Sequence, residues 1–351
     1  MGLVSLAARA KDNPLVSVIV LNYNGKDYLE ACLASVFASS YSPFEVIVVD
    51  NGSSDGSAER AKERWDFELI KKQHNTGYAA GNNTGIRAAH GEFVVLLNND
   101  TTVDPSWLIE LVSEFLRSEA DFCQPKIVIP GRLRIINSAG LMIHLAGFGL
   151  LRGNGEVDNG QYDEQEQISG LHGACVLVSR EAVEKVGLLD EDFFAYNEDT
   201  DWSWRALLMG MKIVYVPKAL VYHFHGKTGG LKTPRKTYYA ERNRIVMLLT
   251  NYSHRSFMLL LPFFLLTEIA TLTYCILHGF PFAKIHGYAD LFRMRNYIAK
   301  RSQWIQKRRR RSDREIIRMF TFKFGHPFFG KFCGPLNDLY AFLYKLIMPF
   351  L

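Results

Sequence analysis

The sequence predicts an α/β protein: a mostly parallel mixed sheet covered by helices, followed by an α-helical C-terminal region. Three observations carry this. Short β-branched runs alternate with segments of helical period over about the first hundred residues, which argues for parallel strands joined by crossover helices. Polar residues gather at the ends of those runs. The charge balance then reverses after Gly226.

Leu15 to Leu21 (LVSVIVL), bounded by Pro14 and Asn22, reads as a buried strand. Apolar positions at helical spacing follow (Leu29, Cys32, Leu33, Val36, Phe37), then a second strand over Glu45 to Val49. The polar turn from Asp50 to Gly56 leads into a helix over Ser57 to Trp65. Further strands are expected near Phe67 to Lys71 and Glu92 to Leu97. Asp104 before Pro105 predicts a helix start, with a capping carboxylate and proline at the first position, running to Glu119. Lys126 to Glu166 is Gly-rich and predicts a long loop with a hairpin. The pattern resumes with a strand over Ala174 to Val178, helices over Arg180 to Val186 and through Met209, and a last strand over Lys212 to Val216. Gly77, Gly81 and Gly85 recur every four residues among Asn, Thr and Tyr, which reads as a polar loop and helix start near a nucleotide.

Composition bounds the class. Of 351 residues 48% are hydrophobic, as in a globular protein. Five scattered cysteines without a CxxC pair suggest neither a zinc knuckle nor a disulfide framework, and predict reduced thiols. Met1 to Asn13 lacks an apolar core, so no secretory signal is expected. Through Gly226 there are 19 Lys and Arg against 30 Asp and Glu, and from Lys227 onward 22 against 6. The second half therefore faces something anionic.

Ligands of such sheets sit beyond the carboxyl ends of the strands. Asn22 to Asn24, Asp50 to Asp55 and Asn98 to Asp100 fall there. Asp100 suits a hard divalent cation or caps a turn. Asp50 faces the crevice or belongs to an ordinary strand-to-helix turn. Asn197 to Trp202 crowds carboxylates into one helical turn, which raises a pKa toward that of a general base or favours the helix dipole. His223 and His225 alternate on a strand and face opposite ways. No GxGxxG or Walker pattern supports a dehydrogenase or kinase.

Taken in order, VSVIVLNYNG, VVDNGSSDGS, HNTGYAAGNNTG, LLNNDT, GACVLVSREAVEKVGLLDEDFFAYNEDTDWSWRA and VYHFHG resemble glycosyltransferase family 2, in its rhamnosyltransferase-like branch of bacterial cell-surface glycan enzymes. The resemblance covers Val16 to Gly226 and implies a GT-A fold with inverting single displacement. It implies that Asp50 hydrogen-bonds a pyrimidine base and that Asn22 and Tyr23 line the nucleotide pocket. Asn75, Gly77, Asn98, Asn99 and Gly173 complete the nucleotide-sugar site. Asp100 and His223 would hold Mg²⁺ or Mn²⁺; Asn98 stands where the family's DXD-like motif begins with Asp, which implies weaker metal affinity. Asp199 matches the catalytic base, with Glu198 beside it, and His225 matches no role. The donor implied is a nucleotide-sugar, with dTDP-rhamnose favoured by the branch, and the acceptor a glycan or lipid-linked hydroxyl. A nucleotidyltransferase would open on a Gly-rich basic loop, which is lacking; a non-catalytic membrane assembly subunit is the alternative.

The expected organisation is a catalytic domain over 1–226 and a basic, apolar, helical membrane-associating region over 227–351. Phe257 to Leu277 is long enough to span a bilayer. Pro262, Glu268 and basic residues on both flanks favour a hairpin or interfacial segment instead. Phe320 to Phe332 and Leu339 to Leu351 add interfacial contacts. The expected location is the cytoplasmic face of the cell membrane, peripheral or monotopic, with lipid rather than nucleic acid as the basic half's partner.

Overall fold

The computed structural model describes residues 13–131, 133–224, 233–324 and 333–351. They form two compact units. The first comprises Met1–Gly140, Leu151–Phe194 and Met211–Gly226; the second comprises Leu141–Leu150, Ala195–Gly210 and Lys227–Leu351. This division differs from a single cut at 226, because two short inner segments belong with the C-terminal residues.

The first unit is built on a ten-stranded mixed sheet. Strands β1 (Val16–Asn22), β2 (Phe44–Asp50), β3 (Glu68–Lys71) and β4 (Phe93–Asn98) pair in parallel in the order β3-β2-β1-β4. The interior of β1 and β2 is buried throughout, as continuous Val and Ile runs require when helices cover both faces. The helices are α1 (Leu29–Phe37), α2 (Ser57–Lys62), α3 (Gly77–Ala88), α4 (Trp107–Ser118) and α5 (Arg180–Val186). β5 (Thr101–Val103) follows β4 directly. Beyond β4 lie β11 (Cys175–Ser179), antiparallel to its neighbours, then β6 (Phe122–Ile129) and β12 (Ile213–His223), which are parallel.

Two expectations need correction, and a third, the helix start at Gly77, gains a packing reason. The segment 126–166 is not mainly loop: β7 (Ile135–Ser138) pairs with β6, β8 (Leu141–Ile143) with β9 (Gly149–Leu151), and β10 (Glu166–Gln167) with β12. Buried Lys126 ties this segment to the sheet through Asp158 at 3.2 Å. Helix α4 starts at Trp107, not at Asp104. The Asp104 carboxylate accepts from Ser106 N and Oγ at 2.9 and 2.7 Å, so it caps the preceding turn. The glycine stripe from 77 to 85 is a packing device: an added Cβ at Gly85 would stand 2.4 Å from Ile19 Cγ2, and one at Gly81 2.4 Å from Leu21 Cδ1. Helix α3 thus lies directly on β1.

The second unit is helical. Its members are α6 (Glu198–Leu208), α7 (Pro234–Asn251), α8 (His254–Leu259), α9 (Leu261–Leu277), α10 (Pro281–Arg293), α11 (Arg295–Arg308), α12 (Asp313–Ile317) and α13 (Cys333–Ile347). Among the described residues no helix is long and apolar enough to cross a membrane. The stretch 257–277, which length alone would allow to span, is divided between α8 and α9, with Pro262 at the start of α9. Glu268 is not a stray charge either. Arg244 and Lys284 bind it, the latter at 2.8 Å, and both also bind Glu241. Burial raises the Glu268 carboxyl, but the two cations outweigh it and hold it at about 2. A second buried cluster joins α6, α7 and α11: Asp201 accepts from Arg205 at 2.8 Å, from Asn251 at 3.2 Å and from Arg301.

Gly85→Ala tests the close approach of α3. Alanine ordinarily gains about 1 kcal/mol over glycine inside a helix, but overpacking against a buried β-branched side chain costs roughly 1–3 kcal/mol. The expected outcome is a lower melting temperature; a stabilised variant would refute the packing role.

Candidate functional site

Three strand ends converge in the first unit, as β1 ends at Asn22 beside Asp50 of β2 and Asn98 of β4 follows Leu97. The Asn22 carboxamide is fully buried. Its nitrogen donates to Asp50 Oδ1 at 2.9 Å and to Ser57 Oγ at 2.9 Å, and its oxygen accepts from Asn99 Nδ2 at 2.8 Å. Asn22 is therefore a buried hub that ties the strand ends together. Tyr23 is exposed, at 41%, where a planar ligand could stack on it.

Asn51 is a residue that sequence reasoning missed. Its oxygen accepts from Thr76 N and Oγ1 at 3.0 and 2.9 Å, while its nitrogen reaches Asn75 Oδ1 at 3.1 Å and Gly77 O at 3.0 Å. Asn75 Oδ1 in turn accepts from Gly77 N at 2.8 Å. Asn75 and Gly77 are thus brought to the end of β2. Gly77 has φ +87, and a Cβ there would stand 2.4 Å from Phe194 O, so glycine is required. The signal available in the sequence was the position of Asn51 directly after a strand-end aspartate.

Beyond β4 the chain turns at Asn98 to Asp100 and returns as β5, which pairs antiparallel with β12 and sets His223 opposite Thr101. His223 Nε2 lies 3.3 Å from Asp100 Oδ1, and its Nδ1 lies 2.9 Å from Asn137 Oδ1. The ring of His172 stands edge-on to His223 at 5.7 Å. Gly173 O accepts from Tyr78 Oη at 2.5 Å. His225 lies outside the described residues.

The donor set at Asp100 fits a divalent cation. An amide oxygen only accepts, so with Asn137 Oδ1 facing it Nδ1 carries the hydrogen. In that tautomer of the neutral ring, Nε2 and Asp100 Oδ1 are two electron-pair donors 3.3 Å apart that one divalent cation would satisfy. A mixed carboxylate and imidazole pair suits Mn²⁺ better than the all-oxygen preference of Mg²⁺. Among the described residues no group of three or more acidic, His or Cys side chains converges to hold a metal.

Glu198 and Asp199 belong to the second unit, in the first turn of α6. The chain enters this turn through Tyr196 and Asn197, at φ 71 and 67, a conformation rare for residues other than glycine. It is held there from α7: Asn243 Nδ2 donates to Tyr196 O at 2.8 Å, and Asn197 Nδ2 to Ala240 O at 2.8 Å. The Asp199 carboxylate accepts from Thr200 N at 2.6 Å. Glu198 is buried, and its Oε2 has no partner among the described residues. Burial first, then the charges of Asp199 and Asp201, push its pKa well above the usual carboxylate value.

The family model for glycosyl transferase family 2 matches residues 17–187. That match spans just under half of the chain. It is 31% identical over 224 residues to the O-antigen biosynthesis protein RfbC of Myxococcus xanthus, covering 61% of this chain and 17% of that protein. It is 29% identical over 243 residues to a poly-beta-1,6-N-acetyl-D-glucosamine synthase of Staphylococcus aureus, covering 66% of this chain and 55% of the relative. The chain thus spans about half the length of the second relative and far less of the first. A crystal structure of GalNAc-T7 with UDP, GalNAc and Mn²⁺ superposes at a TM-score of 0.59 with 15% identity, over 70% of this chain and 49% of that one, which establishes the shared GT-A-like fold. The matched glycosyltransferase residues include Asn22, Asp50, Asn75, Asp100 and Gly173 and end before Glu198, Asp199 and His223.

The state of Glu198 is testable through stability. Its pKa is raised above the unfolded value of 4.5, so the folded state keeps a proton that the unfolded chain releases. That contribution is full below the unfolded value and is lost as pH rises toward the folded one. Glu198→Gln keeps the neutral form at every pH. Its melting temperature relative to the parent should therefore climb as pH rises above 4.5; a flat difference would show that Glu198 is ionised in the fold.

Proposed function

We propose that this protein is an inverting, metal-dependent glycosyltransferase that moves a sugar from a nucleotide-sugar to a hydroxyl of a glycan or lipid-linked acceptor in bacterial cell-surface polysaccharide synthesis. The observation that carries the reading is the Asp100–His223 pair at the end of β4, beside the Asn22–Asp50 pocket of a family 2 domain. Asp50 and Tyr23 bind the base, and the loop ordered by Asn51 brings Asn75 and Gly77 to the nucleotide. Asp100 and His223 would hold Mn²⁺ or Mg²⁺, which would supply charge neutralisation for the departing diphosphate. Asp199 accepts the acceptor hydroxyl's proton as its oxygen attacks the anomeric carbon from the face opposite the leaving group. The two relatives named for O-antigen and poly-N-acetylglucosamine synthesis support the surface-glycan setting. The donor is a pyrimidine nucleotide-sugar, dTDP-rhamnose by the branch resemblance, with UDP-sugars as the comparison class.

The test is release of free nucleoside diphosphate from a panel of dTDP- and UDP-sugars with Mn²⁺ and lipid-linked acceptors. Asp199→Asn should lower turnover by on the order of a hundredfold or more while leaving donor affinity nearly intact. Wild-type turnover in that variant would remove Asp199 from the base role. A parent that binds donor but never releases diphosphate would favour a non-catalytic assembly subunit.

We also propose that the second unit holds the protein on the cytoplasmic face of a membrane without crossing it. Leu265, Ile269 and Ile276 are exposed on one side of α9, as are Phe282, Ile285 and Phe292 on α10 and Phe342 and Leu346 on α13. These apolar stripes lie in the part of the chain that carries 22 basic against 6 acidic residues. That combination matches an anionic lipid surface. Residues 325–332 of the aromatic-basic stretch 320–332 lie outside the described residues. Binding to vesicles of phosphatidylglycerol and phosphatidylethanolamine should survive about 1 M salt, which screens charge within a few ångströms, and should fail in detergent. A Phe282→Asp, Phe292→Asp, Ile269→Asp variant should float free; retention of that variant would overturn the proposal.

A further inference from the structure

We propose that Asn137 is a positioning residue for the cation site: its side-chain oxygen holds His223 in the Nδ1–H tautomer, so that Nε2 presents its lone pair toward Asp100. The inference rests on the metal reading given above and extends it to a residue outside the Asp100–His223 pair. Asn137 lies on β7, whose partner is β6 rather than β12. In that pairing Ile127 stands opposite Ser138 and Val128 opposite Ile136. Asn137 is therefore the extra residue of a β-bulge, a feature that re-aims a side chain. The re-aimed carboxamide is fully buried and puts Oδ1 2.9 Å from His223 Nδ1. Its amide nitrogen has no partner among the described residues. A leucine of the same size would avoid that unsatisfied donor, so packing alone does not account for a carboxamide at this point. What the carboxamide adds is an acceptor aimed at one ring nitrogen. A ring with hydrogen on Nε2 would block the cation. A ring free to rotate would lose the 3.3 Å approach of Nε2 to Asp100 Oδ1. Outer partners of this kind fix both tautomer and orientation of a metal-binding imidazole.

Two measurements decide it. A long-range ¹H–¹⁵N correlation on the metal-free protein, above the histidine titration, reads the tautomer of His223 directly, with assignment from the signals lost in His223→Gln. Nδ1–H is expected. Nε2–H, which the ring would carry if the Asn137 amide were turned over, overturns the proposal. Titration with Mn²⁺ alone, followed by the electron paramagnetic resonance of the free ion, compares the parent with Asn137→Leu and Asn137→Asp. The leucine variant should bind about 10–100-fold more weakly. The aspartate, whose carboxylate also accepts from Nδ1–H, should restore affinity to within a few-fold of the parent. Equal affinity in parent and leucine variant overturns the proposal. If the leucine variant fails to fold, the tautomer of the parent and the rescue by aspartate still decide. A parent that shows Nδ1–H yet binds no Mn²⁺ sinks the metal reading and leaves the hold of Asn137 on the ring standing.

Discussion

One buried carboxamide organises the first unit. Asn22 closes β1 and uses both ends of its amide at once, giving hydrogens to Asp50 and Ser57 and accepting from Asn99. Three strand ends and the start of α2 are thereby tied at a single point. A buried amide left partly unsatisfied costs about 1–3 kcal/mol, so the strand ends are held in one mutual arrangement. The backbone respects the same point: a Cβ at Gly25 would fall 2.1 Å from Asn22 Oδ1 and 2.4 Å from Asn99 Nδ2. With Asn99 fixed, the chain direction into Asp100 and β5 is fixed, and β5 delivers the partner strand that carries His223. The hub and the Asp100–His223 pair are thus linked by the continuous chain Asn99-Asp100-Thr101, the last of which stands opposite His223.

The second unit depends on charge in a different way. Glu241, Arg244, Glu268 and Lys284 are two acids and two bases set among α7, α9 and α10, with Tyr288 donating to Glu268. Removing one member of such a group strands the others, which costs roughly 3–5 kcal/mol. The cluster therefore specifies how these three helices meet. The same logic ties α6, because Asp201 is shared by Arg205 and Arg301 two residues beyond Asp199. The first turn of α6 is thus anchored on its C-terminal side by ion pairs and on its N-terminal side by the amides of Asn197 and Asn243.

How much of this was legible in the sequence follows from where the information resides. Strands β1, β2 and β4 are local: an unbroken Val and Ile run between polar residues says buried strand, and the observed bounds lie within a residue or two of the reading. The Asp50 and Asp100 assignments rested on strand ends, which are also local. Asn51, Asn137 and the hub role of Asn22 were not legible, because an asparagine's meaning lies in what it reaches. Asn137 reaches His223 across 86 positions of sequence. Glu268 misled for the same reason: in the sequence it interrupts an apolar stretch, whereas in the fold Arg244, 24 positions away, receives it. The glycines of α3 were ambiguous because their spacing fits any close approach, and only Ile19 and Leu21 say that the neighbour is β1.

The Asp100–His223 pair also bears on how donor and cation would bind. One carboxylate oxygen and one imidazole nitrogen leave most of the roughly six positions of an octahedral ion unfilled by protein. Asn98, standing where a second carboxylate is expected, adds no charge. With only these two donors among the described residues, an ion bound here would take most of its coordination from other oxygens, such as those of a diphosphate. Each ligand would then strengthen the other by the same factor, since coupling between two binding events is reciprocal. Asn137 and the β5–β12 pairing would hold the two protein donors in register for that shared ion.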